Sequence, residues 1–410
     1  MKTLFKKTIS IIIILTIIPF TLTGCADTEG VENLAYVTAI GFDISEKNMI
    51  TLTFQFAKLI STDQTGSSQP QSSEVVTIDC ASFDSGLAII NSYISKKVSL
   101  SHCKIVVFSE AFAANGISTQ IITLTSNTEV RPDCSVFISK SLAKDFLKNS
   151  VPTLTNLTPR YYEILINSKE YTGFSDNIPL WKFYINLKSH HTEAIAVLCG
   201  LNGSYLDSTN SSINLMEKDV NYKAGETPLI GKTVSQDMGL AVFSKDKLVG
   251  ELNAIECISY LILTNALETC NISIPDPFEN NSTINIRLEL RRKTKNDVQL
   301  VNNSPYIQSN IYLSGSLTFT SLNSNYSKVE HLNTIEEYVE SYLESNLSQF
   351  LYKTSKYFKA DIVGFGQKII PRYLTSSDWQ NLKWTSLYKD SFFNVDVNVL
   401  VKSSSLFVRE

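Results

Sequence analysis

The chain is poor in the residue types from which most catalytic and metal sites are built. It has four histidines among 410 residues, and no two stand four positions apart, as the paired histidines of a helical zinc site do. There is no Gly-x-Ser-x-Gly elbow and no phosphate-binding loop. We therefore expect no catalytic residue, no metal ligand and no cofactor. The four histidines are His102, His190, His191 and His331.

A strongly basic surface and a second membrane-length apolar run are also missing. The formal net charge is -4 and there is no long basic run, which argues against nucleic-acid binding through a phosphate-seeking patch. Beyond the N-terminal segment, no apolar stretch reaches the about 20 residues that a spanning helix needs. With 43% hydrophobic residues, the rest of the chain can bury a substantial core.

Cysteine is present, but it lacks the spacing of a disulfide framework. Beyond Cys25, six cysteines remain, an even number that an exported chain is able to pair. Cys103, Cys199 and Cys257 lie in or beside apolar runs, where a free cysteine acts as a small hydrophobe. Free core thiols are the preferred interpretation, and one or more disulfides remain the alternative. The six are Cys80, Cys103, Cys134, Cys199, Cys257 and Cys270.

The only strongly apolar segment is at the N-terminus. Lysines at positions 2, 6 and 7 precede an apolar run from Ile9 to Phe20, followed by Leu22-Thr23-Gly24-Cys25. A basic head, an apolar core of this length and a small-residue exit are typical of a secretory signal peptide. The Leu-x-Gly-Cys ending resembles a bacterial lipobox, so residues 1–24 are predicted to be removed and Cys25 to be lipidated. The alternative is an ordinary signal peptide or an uncleaved anchor with a chance cysteine.

Polarity divides the remaining chain into two regions. Residues 25–200 alternate helical and strand patterns and are predicted to form an N-terminal mixed α/β domain. Residues 201–230 are rich in Gly, Asn and Ser and are interpreted as a polar linker or small connecting region. Residues 231–410 mix helices and strands without strict alternation, which favours an α+β region with room for two subdomains. The predicted fold class is therefore α+β, multi-domain, with mixed sheets and packed helices.

Several local signals predict where helices begin. Ser141 is expected to cap a short helix through Leu147, because its side chain can accept an amide bond from the first turn. Asn253 with Glu256, and Thr334 with Glu337, have the spacing of capping boxes. The second box is predicted to open a long helix whose apolar face packs on the final sheet.

Three motifs that resemble chemistry are interpreted as structural. The 364–366 Gly-Phe-Gly stretch lacks the third glycine of a dinucleotide fingerprint and is predicted to form a tight turn after the long helix. Glu336 and Glu337 are expected to complement the helix dipole in its first turn. His102 and Cys103 are neighbours on a predicted strand, so they point to opposite faces and cannot form a thiol-imidazole pair.

In order along the chain, several stretches resemble the Ger(x)C family of spore germination lipoproteins. They are the opening 34–43, Leu100-Ser101-His102 before the strand 104–108, Glu129-Val130-Arg131, the Gly-Leu-Ala-Val-Phe stretch at 239–243 with 247–250, and Ala360-Asp361-Ile362-Val363-Gly364-Phe365-Gly366 with Trp379 downstream. The resemblance covers nearly the whole chain. Two departures are Ala26, where the family often has Trp, and a C-terminus at 401–410 without the glycine often found there.

The resemblance implies a fold, a place and a role. The family fold is three mixed α/β domains. Such proteins are lipid-anchored on the outer face of the spore inner membrane, as the lipoprotein subunit of a nutrient germinant receptor. The implied partners are two integral membrane subunits, one transporter-like and one with a large soluble domain. We therefore expect a non-catalytic subunit that is required for germination.

Two other classes of protein compete with this interpretation. A solute-binding lipoprotein of a membrane transporter would have two lobes of similar size and a ligand cleft between them. An anchored hydrolase would need a nucleophile constellation, and the sequence shows none.

Overall fold

The structure of the chain is a computed structural model. The predicted signal peptide and most of the predicted polar region at 201–230 lie outside the described residues. The described residues are 30–46, 49–58, 73–152, 154, 157–202, 221–229, 231–279, 282–319 and 329–402.

The larger of the two described sheets, called the first sheet, has nine strands. Its order is β3-β2-β1-β5-β6-β7-β8-β9, and β4 pairs with the start of β1. The centre, β1-β5-β6-β7, is parallel, while β2, β3, β8 and β9 pair antiparallel with their neighbours. The central strands β5 and β6 are buried at every residue, as continuous apolar runs in parallel sheets are. The bounds are β1 Leu34–Ile44, β2 Ile50–Phe56, β3 Glu74–Cys80, β4 Lys97–Ser99, β5 Ile105–Ser109, β6 Ser135–Ser139, β7 Ile195–Leu201, β8 Ser235–Ser244 and β9 Lys247–Leu252.

Short helices connect and cover these strands. The helical segment after β5 is interrupted at Gly116, because Gly116 has a φ of +109° that ends the helix. The segment from Thr158 to Lys188 is mainly helical. The bounds are a 3-10 turn Val31–Asn33, α1 Phe83–Tyr93, α2 Glu110–Asn115, α3 Ser118–Ser126, α4 Ala143–Asn149, α5 Thr158–Asn167, α6 Lys169–Thr172 and α7 Leu180–Lys188.

The cap of α4 comes from a distant strand, so the prediction for Ser141 is wrong. The hydroxyl of Ser141 contacts Ser139 Oγ at 3.0 Å and no amide of the helix. Instead Asp43, at the end of β1, accepts bonds from the backbone N–H of Ala143 at 2.7 Å and of Lys144 at 2.9 Å. A buried carboxylate thus satisfies two amides of the first turn and fixes α4 against the first sheet.

The first sheet continues across the predicted polar region. Strand β7 ends at Leu201, and β8 pairs with it antiparallel, with Leu201 opposite Ser235. Strands β8 and β9 pair antiparallel across a short turn. They extend the sheet of the first half, although the polarity of the sequence assigned them to the second. The predicted domain boundaries at 200 and 231 remain a prediction, and hydrogen bonds of one sheet cross them.

The second sheet has five strands in the order β10-β11-β13-β12, with β14 along the other side of β13. Strands β13 and β14 run parallel over eleven register pairs, from Tyr306 opposite Phe392 to Ser316 opposite Lys402. The strands are β10 Cys270–Pro275, β11 Thr283–Leu290, β12 Lys295–Val301, β13 Ser304–Phe319 and β14 Phe392–Lys402. The helices of this half are α8 Ala254–Thr264, α9 Val329–Tyr352 continued by a π-helical turn Lys353–Phe358, α10 Gly366–Ile369 with a 3-10 turn Ile370–Arg372, α11 Ser376–Leu382 and α12 Trp384–Tyr388.

One capping-box prediction is confirmed and the other is wrong. Asn253 and Glu256 exchange side-chain bonds with each other's backbone N–H at 3.0 and 2.9 Å and open α8. Thr334 lies inside α9, which already begins at Val329, and its hydroxyl donates to the carbonyl of Glu330 at 3.0 Å. The two motifs have the same spacing. Only the second fails as a helix start, because the residues that precede Thr334 are already helical.

Glutamates of α9 close the outer edge of the second sheet. Oε1 of Glu336, Glu340 and Glu344 accepts the backbone N–H of Val401, Val399 and Val397 at 2.7, 2.8 and 3.0 Å, respectively. The residues are four apart on the helix and two apart on the strand, so one helix face meets one strand edge. We call this set the glutamate ladder. Glu336 and Glu337 were predicted to complement the helix dipole in the first turn. This prediction is wrong, because α9 begins at Val329 and neither residue lies in its first turn, and Glu336 accepts an edge amide of β14 instead.

The apolar face of α9 packs on β14, as predicted. Ile335, Val339, Leu343 and Leu347 are buried on the helix, and Val397, Val399 and Val401 are buried on the strand. Tyr352 continues this contact edge-to-face with Phe393, with ring centroids 5.2 Å apart. The prediction of an α+β chain with mixed sheets and packed helices is therefore confirmed.

Candidate functional site

The turn after α9 is organised around one buried carboxylate, Asp361. Its Oδ1 accepts the backbone N–H of Gly364 at 2.8 Å and of Phe365 at 3.1 Å, and its Oδ2 accepts that of Gly366 at 2.8 Å. A fourth donor is the indole Nε1 of Trp384, also at 2.8 Å. Because Asp361 is 1% exposed, these four bonds replace its water shell. We call this arrangement the Asp361 turn.

Both glycines of the turn have a geometric reason. Gly364 has a φ of +84°, a conformation that favours glycine. A Cβ on Gly366 would stand 2.7 Å from Cδ1 of Trp384 and 2.8 Å from the carbonyl oxygen of His191. The predicted tight turn at 364–366 is confirmed. No local pattern pointed to Trp384, because its indole donates to Asp361 from 23 positions away.

The Asp361 turn links the first sheet to the C-terminal helices. The carbonyl of Asp361 accepts the backbone N–H of Glu193, just before β7, at 2.9 Å. The carboxylate of Glu193 in turn accepts the backbone N–H of Lys245, between β8 and β9, at 2.8 Å. Burial raises the pKa of Asp361 to about 6, opposed by its four hydrogen bonds. Burial also raises the pKa of Glu193.

A cavity of about 340 Å³ opens beside this turn. Its walls include Trp379 and Trp384, and its rim carries His190, Lys245 and Lys383. Indole faces and ammonium groups together are suited to holding an anionic or aromatic group. Of the residues that the sequence analysis singled out, the structure brings Trp379, His190 and the Asp361 turn into one place.

A set of ion pairs lies at the carboxyl ends of the parallel strands, where open α/β sheets commonly bind ligands. Lys140 follows β6, and its Nζ is 2.5 Å from Glu226 and 3.7 Å from Glu251 of β9. Lys223 contacts Glu251 at 3.0 Å. Burial, followed by the charge of Glu251, raises the pKa of Glu110 at the end of β5. At this end of the sheet, Lys140 and Lys223 are therefore paired with glutamates of the same chain.

The six cysteines of the described residues are buried and free, which confirms the preferred interpretation of core thiols. Cys103 Sγ and Cys134 Sγ are 3.6 Å apart without a disulfide. Burial raises the pKa of the Cys134, Cys199 and Cys257 thiols well above the ordinary value, which makes them poor nucleophiles.

His102 does not bond to the neighbouring thiol, but the predicted reason is wrong, because His102 lies in the turn before β5 and not on a strand. Its Nδ1 contacts Ser101 Oγ at 3.0 Å, and its ring packs edge-on against Tyr36 at 4.6 Å. Among the described residues, no group of three or more His, Cys, Asp or Glu side chains is arranged to hold a metal ion.

The predicted lipidation site, Cys25, lies outside the described residues. Its modification therefore remains a prediction. None of the described helices combines the length and the apolarity needed to cross a bilayer.

The chain is an α+β protein of two mixed sheets, in which the turn around the buried Asp361 links the first sheet to the C-terminal helices. Residues 27–200 match the family model described as "Spore germination protein N-terminal domain". Residues 238–405 match the one described as "Spore germination B3/ GerAC like, C-terminal". The chain belongs to the Ger(x)C family of spore germination proteins, which confirms the resemblance seen in the sequence.

Curated relatives match over almost the whole chain. Spore germination protein B3 of Bacillus subtilis (strain 168) is 22% identical over 405 residues, which is 97% of each chain. Spore germination protein GerQC of Bacillus cereus is 19% identical over 397 residues, covering 96% of this chain and 98% of the relative. The crystal structure of the GerBC protein has the same fold, with a TM-score of 0.52 at 16% identity over 92% of this chain and 99% of that one.

Proposed function

We propose that this chain is the lipid-anchored subunit of a spore nutrient germinant receptor. In this proposal Cys25 carries the lipid, and the rest of the chain lies on the outer face of the spore inner membrane. Its partners are two integral membrane subunits, one transporter-like and one with a large soluble domain. The subunit is required for germination and is not an enzyme.

One observation carries the proposal: two spore germination family segments, 27–200 and 238–405, follow directly behind a lipobox-like cysteine. The first segment starts two residues after Cys25, so little chain separates the predicted anchor from the folded region. A single acyl chain binds a bilayer only marginally, whereas two or more give stable anchoring. A diacylglyceryl cysteine would therefore hold the protein at the surface without a spanning helix.

The geometry supports a role in assembly. Within the Asp361 turn the polar groups bond to one another, and Lys140 and Glu251 likewise pair within their own cluster. This favours structural roles for both sets. A tethered domain acts on the membrane interior only through neighbouring subunits. Tethering raises its effective concentration beside them, which strengthens weak contacts without enlarging any interface.

The anchor is tested by mass spectrometry of the mature N-terminus. The expected species begins at Cys25 and carries a diacylglyceryl group. Cys25→Ala should abolish that mass and leave the chain unprocessed or released. Thr28→Ala, three residues further on, is the control and should be lipidated normally. An unmodified chain that starts at another residue would contradict the anchor.

The receptor role is tested by germination and by co-purification. Deleting the chain should remove the response to one set of nutrients and leave pressure- or chelate-triggered germination intact. Affinity purification from spore membranes should recover both integral membrane subunits with the intact chain. Micromolar binding of an amino acid or sugar by the chain alone, measured by calorimetry, would instead favour a solute-binding lipoprotein.

A further inference from the structure

The first sheet ends on an open edge. Strand β3 pairs with β2 through seven register positions, and no strand of the described residues pairs with its other side. Such an edge presents unpaired backbone N–H and C=O groups that can template another strand. The contrast with the second sheet is direct, because there the glutamate ladder occupies the outer amides of β14.

A groove with large apolar side chains on both walls runs along one face of this edge. It has a volume of about 420 Å³ and lies between β3 and helix α1. Val76 and Ile78, with Glu74 at the start of the strand, line it on the β3 side, and Ile89, Ile90 and Tyr93 line it from the helix. Ile89 is 44% exposed and Tyr93 is 75% exposed, which is unusual for large apolar side chains that lie together.

A second groove lies on the opposite face of the same strand. It has a volume of about 620 Å³ and is lined by Ser73, Val75 and Thr77 on the strand side and by Lys144, Asp145 and Lys148 of α4 on the other. Both lysines are exposed, and neither ammonium group has an ion-pair partner among the described residues. The lining of this groove holds two lysines and one aspartate and so has a net positive charge, while Asp79 lies on the same face of β3 outside that lining.

We infer that the edge of β3 binds an extended segment of a partner protein as an additional strand. Side chains of a strand alternate between the faces of the sheet, so the segment would place apolar side chains beside α1 and acidic side chains beside Lys144 and Lys148. Main-chain hydrogen bonds would supply affinity, and the two grooves would supply specificity. The inference rests on the proposed function only for the existence of partner subunits.

Charge argues against a second copy of this chain as the occupant. Strand β3 carries Glu74 and Asp79 and no basic residue. Pairing two β3 edges would gather four carboxylates along one ribbon, and β3 itself supplies no cation to offset them. An acidic partner strand meets Lys144 and Lys148 on its own side of the sheet instead.

The test is site-specific photo-cross-linking in the full-length chain, in its native membranes. A benzophenone amino acid replaces Tyr93 at the groove or, as the control, Tyr357, which is 81% exposed at the end of the π-helical turn. We expect position 93 alone to cross-link to one partner segment, in which apolar and acidic residues alternate. Lys144→Glu with Lys148→Glu should reduce the yield about tenfold, while Lys188→Glu with Lys293→Glu should not change it.

The outcomes separate this inference from the proposed function. Suppose that the membrane subunits co-purify but position 93 gives no adduct at all, an adduct with lipid, or a cross-linked dimer of this chain. In each of these three cases the inference is wrong and the proposed function stands. A partner segment without the alternation, or a yield unaffected by reversal of the two lysines, also overturns it. If no membrane subunit co-purifies with the unsubstituted chain, the proposed function itself fails.

Discussion

The glutamate ladder allows a quantitative prediction about stability. Glu340 sits in the middle of the ladder, and its Oε1 accepts the N–H of Val399 at 2.8 Å. Val399 is 2% exposed, so water has little access to its amide once the glutamate is removed. An unsatisfied buried donor costs about 1–3 kcal/mol. We therefore expect Glu340→Ala to lower the free energy of unfolding by about that amount.

Two matched variants separate the hydrogen bond from other effects of the substitution. Glu340→Gln keeps an oxygen acceptor at the same distance from the helix and should cost less than about 1 kcal/mol. Glu337→Ala removes the same side chain from an exposed position of the same helix and should change stability by less than about 0.5 kcal/mol. Denaturant titration followed by tryptophan fluorescence measures all three, because Trp379 and Trp384 are buried.

The pH dependence gives a second readout of the same site. Burial, and then the charges of Glu336, Glu344 and Asp396, raise the pKa of Glu340, and the bond from Val399 opposes this. At Glu340 the folded chain then binds a proton more tightly than the unfolded chain does. The stabilisation that Glu340 contributes therefore falls as the pH rises from its pKa in the unfolded chain to its higher pKa in the folded chain. Glu340→Gln should remove that part of the slope. Equal losses for Glu337→Ala and Glu340→Ala would refute the reasoning.

Three further predictions follow from the packing and from the Asp361 turn. Leu347→Ala should cost about 2–5 kcal/mol in a denaturant titration, because Leu347 is fully buried against the second sheet, and exposed Gln349→Ala should cost almost nothing. Gly366→Ala should give little folded protein by circular dichroism, because its Cβ would stand 2.7 Å from Trp384. Because the pKa of Asp361 in the folded chain is raised to about 6, its contribution to the free energy of unfolding should fall as the pH rises from about 4 to about 6. Trp384→Phe removes a donor to the ionised form and should make that fall steeper in titrations at successive pH values.

Features set by nearby residues were predictable from the sequence. The Asn253–Glu256 box is complete within four residues, and the structure contains it. The two predicted caps that failed did so for reasons outside their own motifs. Asp43 takes the place of Ser141 and accepts the amide of Ala143 from 100 positions away, and Thr334 fails because the helix begins five residues earlier at Val329. Local spacing carries no information about either.

The candidate site shows the same division. The turn at Gly364 and Gly366 was readable because glycines punctuate chains. Its central contacts were not, because Asp361 bonds to Trp384 and to Glu193 across long stretches of sequence. The ladder was missed for the same reason: Glu336 pairs with an amide 65 residues away. Periodicity predicted that the apolar face of α9 packs on the final sheet, but not that its glutamates bond to the edge amides of β14.

The boundaries of the two family segments do not coincide with the edges of the first sheet. The family segment 27–200 ends inside β7, and the segment 238–405 begins inside β8. These two strands are hydrogen-bonded neighbours, so the seam between the segments runs through the interior of one sheet. Either half expressed alone would expose a strand edge that is paired with the other half in the intact chain, and such an edge can pair with other chains. The two halves are therefore expected to be soluble only as a pair, and they offer a natural split point for fragment complementation.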